Sequence, residues 1–116
     1  MQRGSRKENM KTYAGTRNED GALSVTVDGQ PLNPRLDLRN HSPTGFGCGY
    51  GGSGPAQLAL ALLADCLNDD KTAVQLHQSF TGAVVAKLPK HTWSLTKRQI
   101  DQALKEIRTQ NAGGAM

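Results

Sequence analysis

A chain of 116 residues with 36% hydrophobic and 4% aromatic residues holds one domain, with a core built mainly from leucine, valine and alanine, and excludes a second. The formal net charge is +4, but residues 1–12 carry four basic side chains against one acidic and the rest carries only +1, so the basicity is largely that of a tail with weak, salt-sensitive attraction for phosphates. The longest apolar run, Leu58 to Ala64, is far short of the ~20 residues of a membrane span, no apolar stretch follows the basic start as a secretory signal requires, and Cys48 and Cys66 make no disulfide framework, so a cytoplasmic protein without a membrane partner is expected.

Residues 1–11 show no hydrophobic period and are expected to be a disordered basic tail. Tyr13 to Arg17 reads as a short strand and Asn18 to Gly21 as a turn. Leu23 to Val27 alternates apolar and polar with β-branched residues, the clearest strand signal in the chain. Asp28-Gly29 then supplies a tight turn. Leu36 and Leu38 alternate with Arg35, Asp37 and Arg39, which predicts a third strand, kept to a sheet edge by Pro31 and Pro34. Residues 40–54, NHSPTGFGCGYGGSG, form an irregular loop. Pro55 starts an apolar helix to about Leu67, capped by Ser53 or Gly54, and Leu58, Leu62 and Leu63 are expected in the core. A second helix is predicted from about Lys71 to Leu88, where Pro89 stops it. The third begins at a capping box of Thr96 and Gln99, with Leu95 and Ile100 as a hydrophobic staple, and Trp93, a candidate contact aromatic together with Tyr50, is expected to roof the core before it. Residues 110–116 are expected to be a disordered end. The order predicts one α+β domain over 12–109, a small antiparallel sheet of two to three N-terminal strands with three C-terminal helices.

Eight of the 13 glycines lie between Gly45 and Gly54 or at Gly113–Gly114. Glycines in series turn backbone N–H groups into one concavity, and a following helix adds its positive end. Gly49, Tyr50, Gly51, Gly52 and Ser53 are therefore candidate contacts for an anion or a partner, with Arg17 and Arg39 as the cations able to fold over them. The competing reading is a tight turn whose glycines serve backbone geometry. Pro55-Ala56-Gln57 stands where a phosphate-binding loop needs lysine and serine or threonine. Gly47-x-Gly49-x-x-Gly52 matches a dinucleotide fingerprint only as a string, with no buried strand before it. Ser53 lacks the second glycine of a nucleophile elbow, since Pro55 holds that place. His41, His77 and His91 show no metal-ligand spacing and the cysteines no paired motif, so neither metal nor cofactor is expected; His77 is read as a surface or helix-flank residue and His91 as a loop residue. Lys97, Arg98, Lys105 and Arg108 share one face of the third helix, either a phosphate-contacting surface or a solvated face in which Asp101 pairs with Lys105.

The string Tyr13-x-Gly15-x-Arg17, then Ser42-Pro43-x-Gly45-Phe46-x-x-Gly49-Tyr50-Gly51-Gly52-Ser53-Gly54-Pro55-Ala56-Gln57-Leu58-Ala59, then Phe80 and Trp93, resembles a small bacterial and phage family without an established function, over about Lys11 to Arg108. The resemblance implies the company of plasmids, integrative elements and phages. It also implies a tryptophan where this chain has Cys48, so that a contact surface at that position would differ here. It carries no catalytic residues. What it implies about activity is a non-enzymatic protein of a mobile element, docking on a host or element protein as an inhibitor of a defence complex of the anti-restriction or anti-CRISPR kind, with direct nucleic-acid contact subsidiary. The alternative, from the glycine loop itself, is a small-anion or nucleotide-binding module.

Overall fold

Asp28 and Gly29 hold φ of 50° and 85°, the paired left-handed residues of a type I′ hairpin loop, and the returning chain sets Val27 opposite Gln30 and Thr26 opposite Pro31. The computed structural model describes residues 11–114, with side chains through Gln110. Its elements are β1 (Thr12–Arg17), β2 (Leu23–Val27), β3 (Gln30–Pro31), α1 (Ser53–Leu67), α2 (Asp70–Ala83), a 3-10 turn (Val85–Lys87), β4 (Thr92–Thr96) and α3 (Lys97–Gly114). The sheet is antiparallel, in the order β3-β2-β1-β4. Most of the expected basic tail, residues 1–10, lies outside the described residues. So do residues 115 and 116 of the expected disordered end.

The α+β class with three helices stands as read, and three of its details differ. The strand expected around Leu36 and Leu38 is a turn: Arg35 sits at φ 55°, which breaks an extended chain, and Leu38 N–H donates back to Arg35 O at 3.0 Å. The third strand is instead the two-residue return after Asp28-Gly29. A fourth strand enters from between the helices, because Thr92 to Thr96 pairs with β1 from Thr12↔Thr96 to Thr16↔Thr92. The second helix stops at Ala83; Val84 leaves helical geometry at φ −126° and one 3-10 turn follows.

Helix α1 is buried almost all round, from Gly54 through Ala64 and again at Cys66. Leu58, Leu62 and Leu63 are fully enclosed, as a helix with only Gln57 and Asp65 polar between Ala56 and Leu67 requires. It ends on Asn68, left-handed at φ 53°, whose N–H returns to Ala64 O, and the Asp69 side chain caps α2 through Thr72 N–H. The capping box of α3 is reciprocal: Gln99 N–H donates to Thr96 Oγ1 at 3.1 Å and Thr96 N–H to Gln99 Oε1 at 2.9 Å. The cap expected for α1 is different. Ser53 is the first helical residue and the cap is Gly52, with φ 157°, ψ −170° and no side-chain hydrogen bond. That backbone geometry is open essentially only to glycine.

Trp93 closes the sheet onto this core. Its indole lies over Gly15, the residue directly across the ladder, and a Cβ on Gly15 would stand well inside van der Waals contact distance of Cε2. The Nε1 is buried without a hydrogen-bond partner among the described residues. Gly15→Ala should therefore push the indole out of its slot and cost about 1–3 kcal/mol by overpacking. Urea unfolding with a red-shifted tryptophan emission would show it; an unchanged midpoint and emission would mean that the indole does not rest on Gly15.

Candidate functional site

The first part of the irregular segment, Pro34 to Ser42, is fixed by one buried amide. Gln57, fully enclosed on α1, accepts at Oε1 from His41 N–H at 2.7 Å and Ser42 N–H at 3.1 Å. Its Nε2 donates to Pro34 O at 2.6 Å and Arg39 O at 3.0 Å. All four hydrogen-bonding positions of a primary amide are filled by backbone. Further along, Leu23 bridges to Phe46 and Gly49 N–H donates to Val85 O at 3.0 Å. Cys48, fully buried, donates from Sγ to Pro89 O at 3.4 Å. Position 48 is thus an interior position and forms no contact surface.

Arg17 reaches this loop as a connector. Its Nε donates to Lys90 O and its Nη1 to Gly21 O, each at 2.8 Å, while Nη2 approaches Cys48 Sγ at 3.7 Å. Arg39 turns Nη1 onto the carbonyl of Leu38 at 2.7 Å. Gly49 is half-buried, whereas Tyr50, Gly51, Gly52 and Ser53 form an exposed rim. Tyr50 is 51% exposed, the large hydrophobic side chain that the described residues leave in solvent.

The basic face lies at the other end of α1, roughly 20 Å away at 1.5 Å per helical residue. Lys105 and Arg108 border a shallow groove with Leu67 and Leu104. Asp101 pairs with Lys97 at 2.9 Å, one turn before it, in place of the expected partner Lys105. Arg98, Lys105 and Arg108 are exposed. The two sets of candidate residues are therefore separate surfaces.

A cavity of about 560 Å³ that the sequence did not signal opens at this same end, lined by Lys11, Arg35, Asp65, Cys66 and Lys97 among others. Its cations are answered by carboxylates: Lys11 with Asp65 at 2.9 Å, Lys97 with Asp101, and Arg35 with Asp37 at 3.1 Å and Asp70 at 2.8 Å. Asp65 also accepts from the Tyr13 hydroxyl at 2.7 Å. Burial, then that hydrogen bond, raises the Tyr13 pKa. Burial, then the Asp101 charge, pushes the Cys66 thiol up to about 12, so it stays protonated and unreactive at neutral pH.

His77 is buried, not on a helix flank as its sequence position suggests. Its Nδ1 lies 2.7 Å from Val74 O and takes the donor role there, which leaves Nε2 to meet His41 Nε2 at 3.0 Å. Among the described residues no three His, Cys, Asp or Glu side chains converge on a metal position. One ring proton fills the His41–His77 contact; two protonated rings would oppose N–H to N–H.

Two outcomes follow from these contacts. Gln57→Leu keeps the volume but orphans two N–H and two C=O groups, so it should cost at least about 2–4 kcal/mol; a urea midpoint within error of wild type would mean that water replaces the amide. Burial, the largest cause, lowers the His77 pKa below its ordinary 6.5, so below that value the folded state binds fewer protons than the unfolded chain. Stability is then complete above about pH 6.5 and declines as pH falls toward the folded-state pKa. Asp37 and Asp69, held below the usual carboxylate range by Arg35 and Thr72 respectively, act only at lower pH. The thermal midpoint should drop between about pH 7.5 and about pH 5 in wild type and less steeply in His77→Gln; parallel profiles would remove His77 as the cause.

A family model described as a "Family of unknown function (DUF6166)" matches residues 13–106, from β1 into α3. No curated protein and no solved structure matches the chain. With the sheet from Tyr13 onward, the glycine loop and most of the helical layer inside the matched span, the chain belongs to the DUF6166 family.

Proposed function

We propose that this protein is a non-enzymatic binding protein that docks on a macromolecular partner through the Tyr50–Ser53 rim. The observation that carries the reading is Tyr50, half exposed on a loop whose backbone is tied to α1, to the 3-10 turn and, through Arg17 and Cys48, to Pro89 and Lys90. An aromatic side chain on a pre-ordered support contributes contact area at small entropic cost, which is the character of interface anchors. The resemblance to proteins of plasmids and phages extends the proposal. The partner is a host defence complex of the restriction or CRISPR kind, and the exposed Arg98, Lys105 and Arg108 support a subsidiary contact with its nucleic acid.

The alternative is a small-anion module at the same loop. What favours it is the start of α1, where no side chain caps the first turn and free helical N–H groups attract anions. Against it stands the commitment of Arg17 to protein acceptors.

Expression in cells carrying a restriction or CRISPR system, challenged with phage or plasmid, tests the docking reading. Wild type should protect the incoming DNA, and Tyr50→Ala should lose protection while remaining folded by urea titration. No protection against either system sinks the defence assignment. Protection that survives Tyr50→Ala sinks the rim. Binding of phosphate or nucleotides that Gly52→Ala abolishes would put the anion module first.

A further inference from the structure

The sheet has one covered edge and one open edge. On the β3 side the edge strand is two residues long and contains Pro31, which has no N–H to offer, and beyond it Phe46 bridges to Leu23 of β2. The β4 side is different. Lys97 N–H donates to Lys11 O at 2.9 Å and Arg17 N–H to His91 O at 2.8 Å, so in this ladder the odd-numbered residues face β1. Antiparallel alternation then points the backbone N–H and C=O of Thr92 and Ser94 away from the sheet, and both residues are exposed. The Thr96 N–H is already taken by Gln99. Natural edges are blunted by lysine, proline, bulges or a cover, yet Thr92 to Thr96 contains no charge and no proline and pairs in unbroken register.

Charge brackets this strand. Lys90 precedes it, and Lys97 and Arg98 follow it. Lys97 is paired with Asp101, whereas Lys90 and Arg98 are exposed and no carboxylate among the described residues pairs with either. Glu19 and Asp20 lie at the Lys90 end but in the β1–β2 turn, one strand in from the edge, and Asp20 accepts from Ala22 N–H. A second copy of the chain is a poor occupant. In a two-fold antiparallel pairing centred on Ser94, Lys90 of each copy would face Arg98 of the other, setting like charges together at both ends.

We propose that the open edge of β4 is a docking strand for an extended segment of a partner protein, alternating apolar and polar residues and flanked by acidic residues at both ends. The backbone groups of Thr92 and Ser94 pair with the segment as in β-strand addition, and Lys90 and Arg98 select its acidic flanks. The proposal goes beyond the rim reading: it concerns a second surface and names the form that a partner takes there.

The test uses the full isotope-labelled chain and a synthetic peptide in which valine and threonine alternate between paired glutamates. Titration should shift the amide resonances of Thr92 and Ser94, and a peptide with lysines in place of the glutamates should bind at least about tenfold more weakly. Ser94→Pro, tolerated at an edge position, should weaken binding by a similar factor with the thermal midpoint unchanged. Lys90→Glu combined with Arg98→Glu should invert the preference between the two peptides, a readout that does not depend on the proline variant folding. The proposal is overturned by no amide shift up to about 1 mM peptide, by equal binding of both peptides, or by a doubled mass in light scattering that places a second copy on the edge. Because only purified chain and a defined peptide are used, failure here leaves the protection assay standing, and failure of that assay leaves this measurement intact.

Discussion

A single buried side chain holds the 34–42 segment to the regular part of this domain. Gln57 lies in the first turns of the most enclosed helix, where a polar group without partners would cost a full desolvation penalty. It escapes that cost because two donors and two acceptors of the 34–42 backbone reach it. The dependence is mutual. Pro34 O, Arg39 O and the N–H groups of His41 and Ser42 belong to a loop that has no ladder or helix of its own to satisfy them. Removing the amide would open both accounts at once, which is why the helix and the loop behave as one unit.

That unit places the two ends of α1 in different chemical surroundings. The N-terminal end meets glycine backbone and Tyr50. The C-terminal end meets Tyr13, Lys11 and Asp65, with Lys97 and Asp101 beyond. The cations lining the cavity at this second end occur in opposed pairs that are partly exposed, so each contributes on the order of 0–1 kcal/mol, and the field that four cations on one helix would generate is reduced where Asp101 answers Lys97. The polar cavity there is nearly balanced in charge, which argues for a structural ion-pair network. The rim around Tyr50 carries no such compensation, because its exposed groups are backbone, one phenol and one hydroxyl.

Helix α1 was legible from the sequence because its signal is local: an unbroken apolar stretch with proline in the first turn. The Asp28-Gly29 turn and the Thr96–Gln99 box were legible for the same reason, since their partners lie within three residues. β4 was not, although Thr92 to Thr96 alternates as a strand should. Its partner is β1, some eighty positions earlier, and the capping box at its end draws the same residues toward a helix start. Gln57 was visible as a polar exception, but its role arises only when a segment 15 to 23 residues upstream folds over it. Arg17 was visible as a cation, but its acceptors are a thiol and two main-chain carbonyls, which leave no mark in a charge pattern. The His41–His77 contact likewise joins positions 36 apart, with no spacing that a ligand motif would show.

Arg17 also explains why the rim and the open sheet edge belong to one frame. It stands at the end of β1, and its guanidinium reaches three segments: the β1–β2 turn through Gly21 O, the approach to β4 through Lys90 O, and the glycine loop through Cys48 Sγ. Only a planar fork with several fixed donors spans three acceptors in this way; a lysine ammonium on a flexible stem would have to choose among them. Cys48 completes the joint from the loop side by donating to Pro89 O, one residue before Lys90. The positions of Tyr50 and of the strand edge are therefore set by the same few hydrogen bonds. A change that loosens the joint displaces both surfaces together, while a change on either surface leaves the joint, and the other surface, in place.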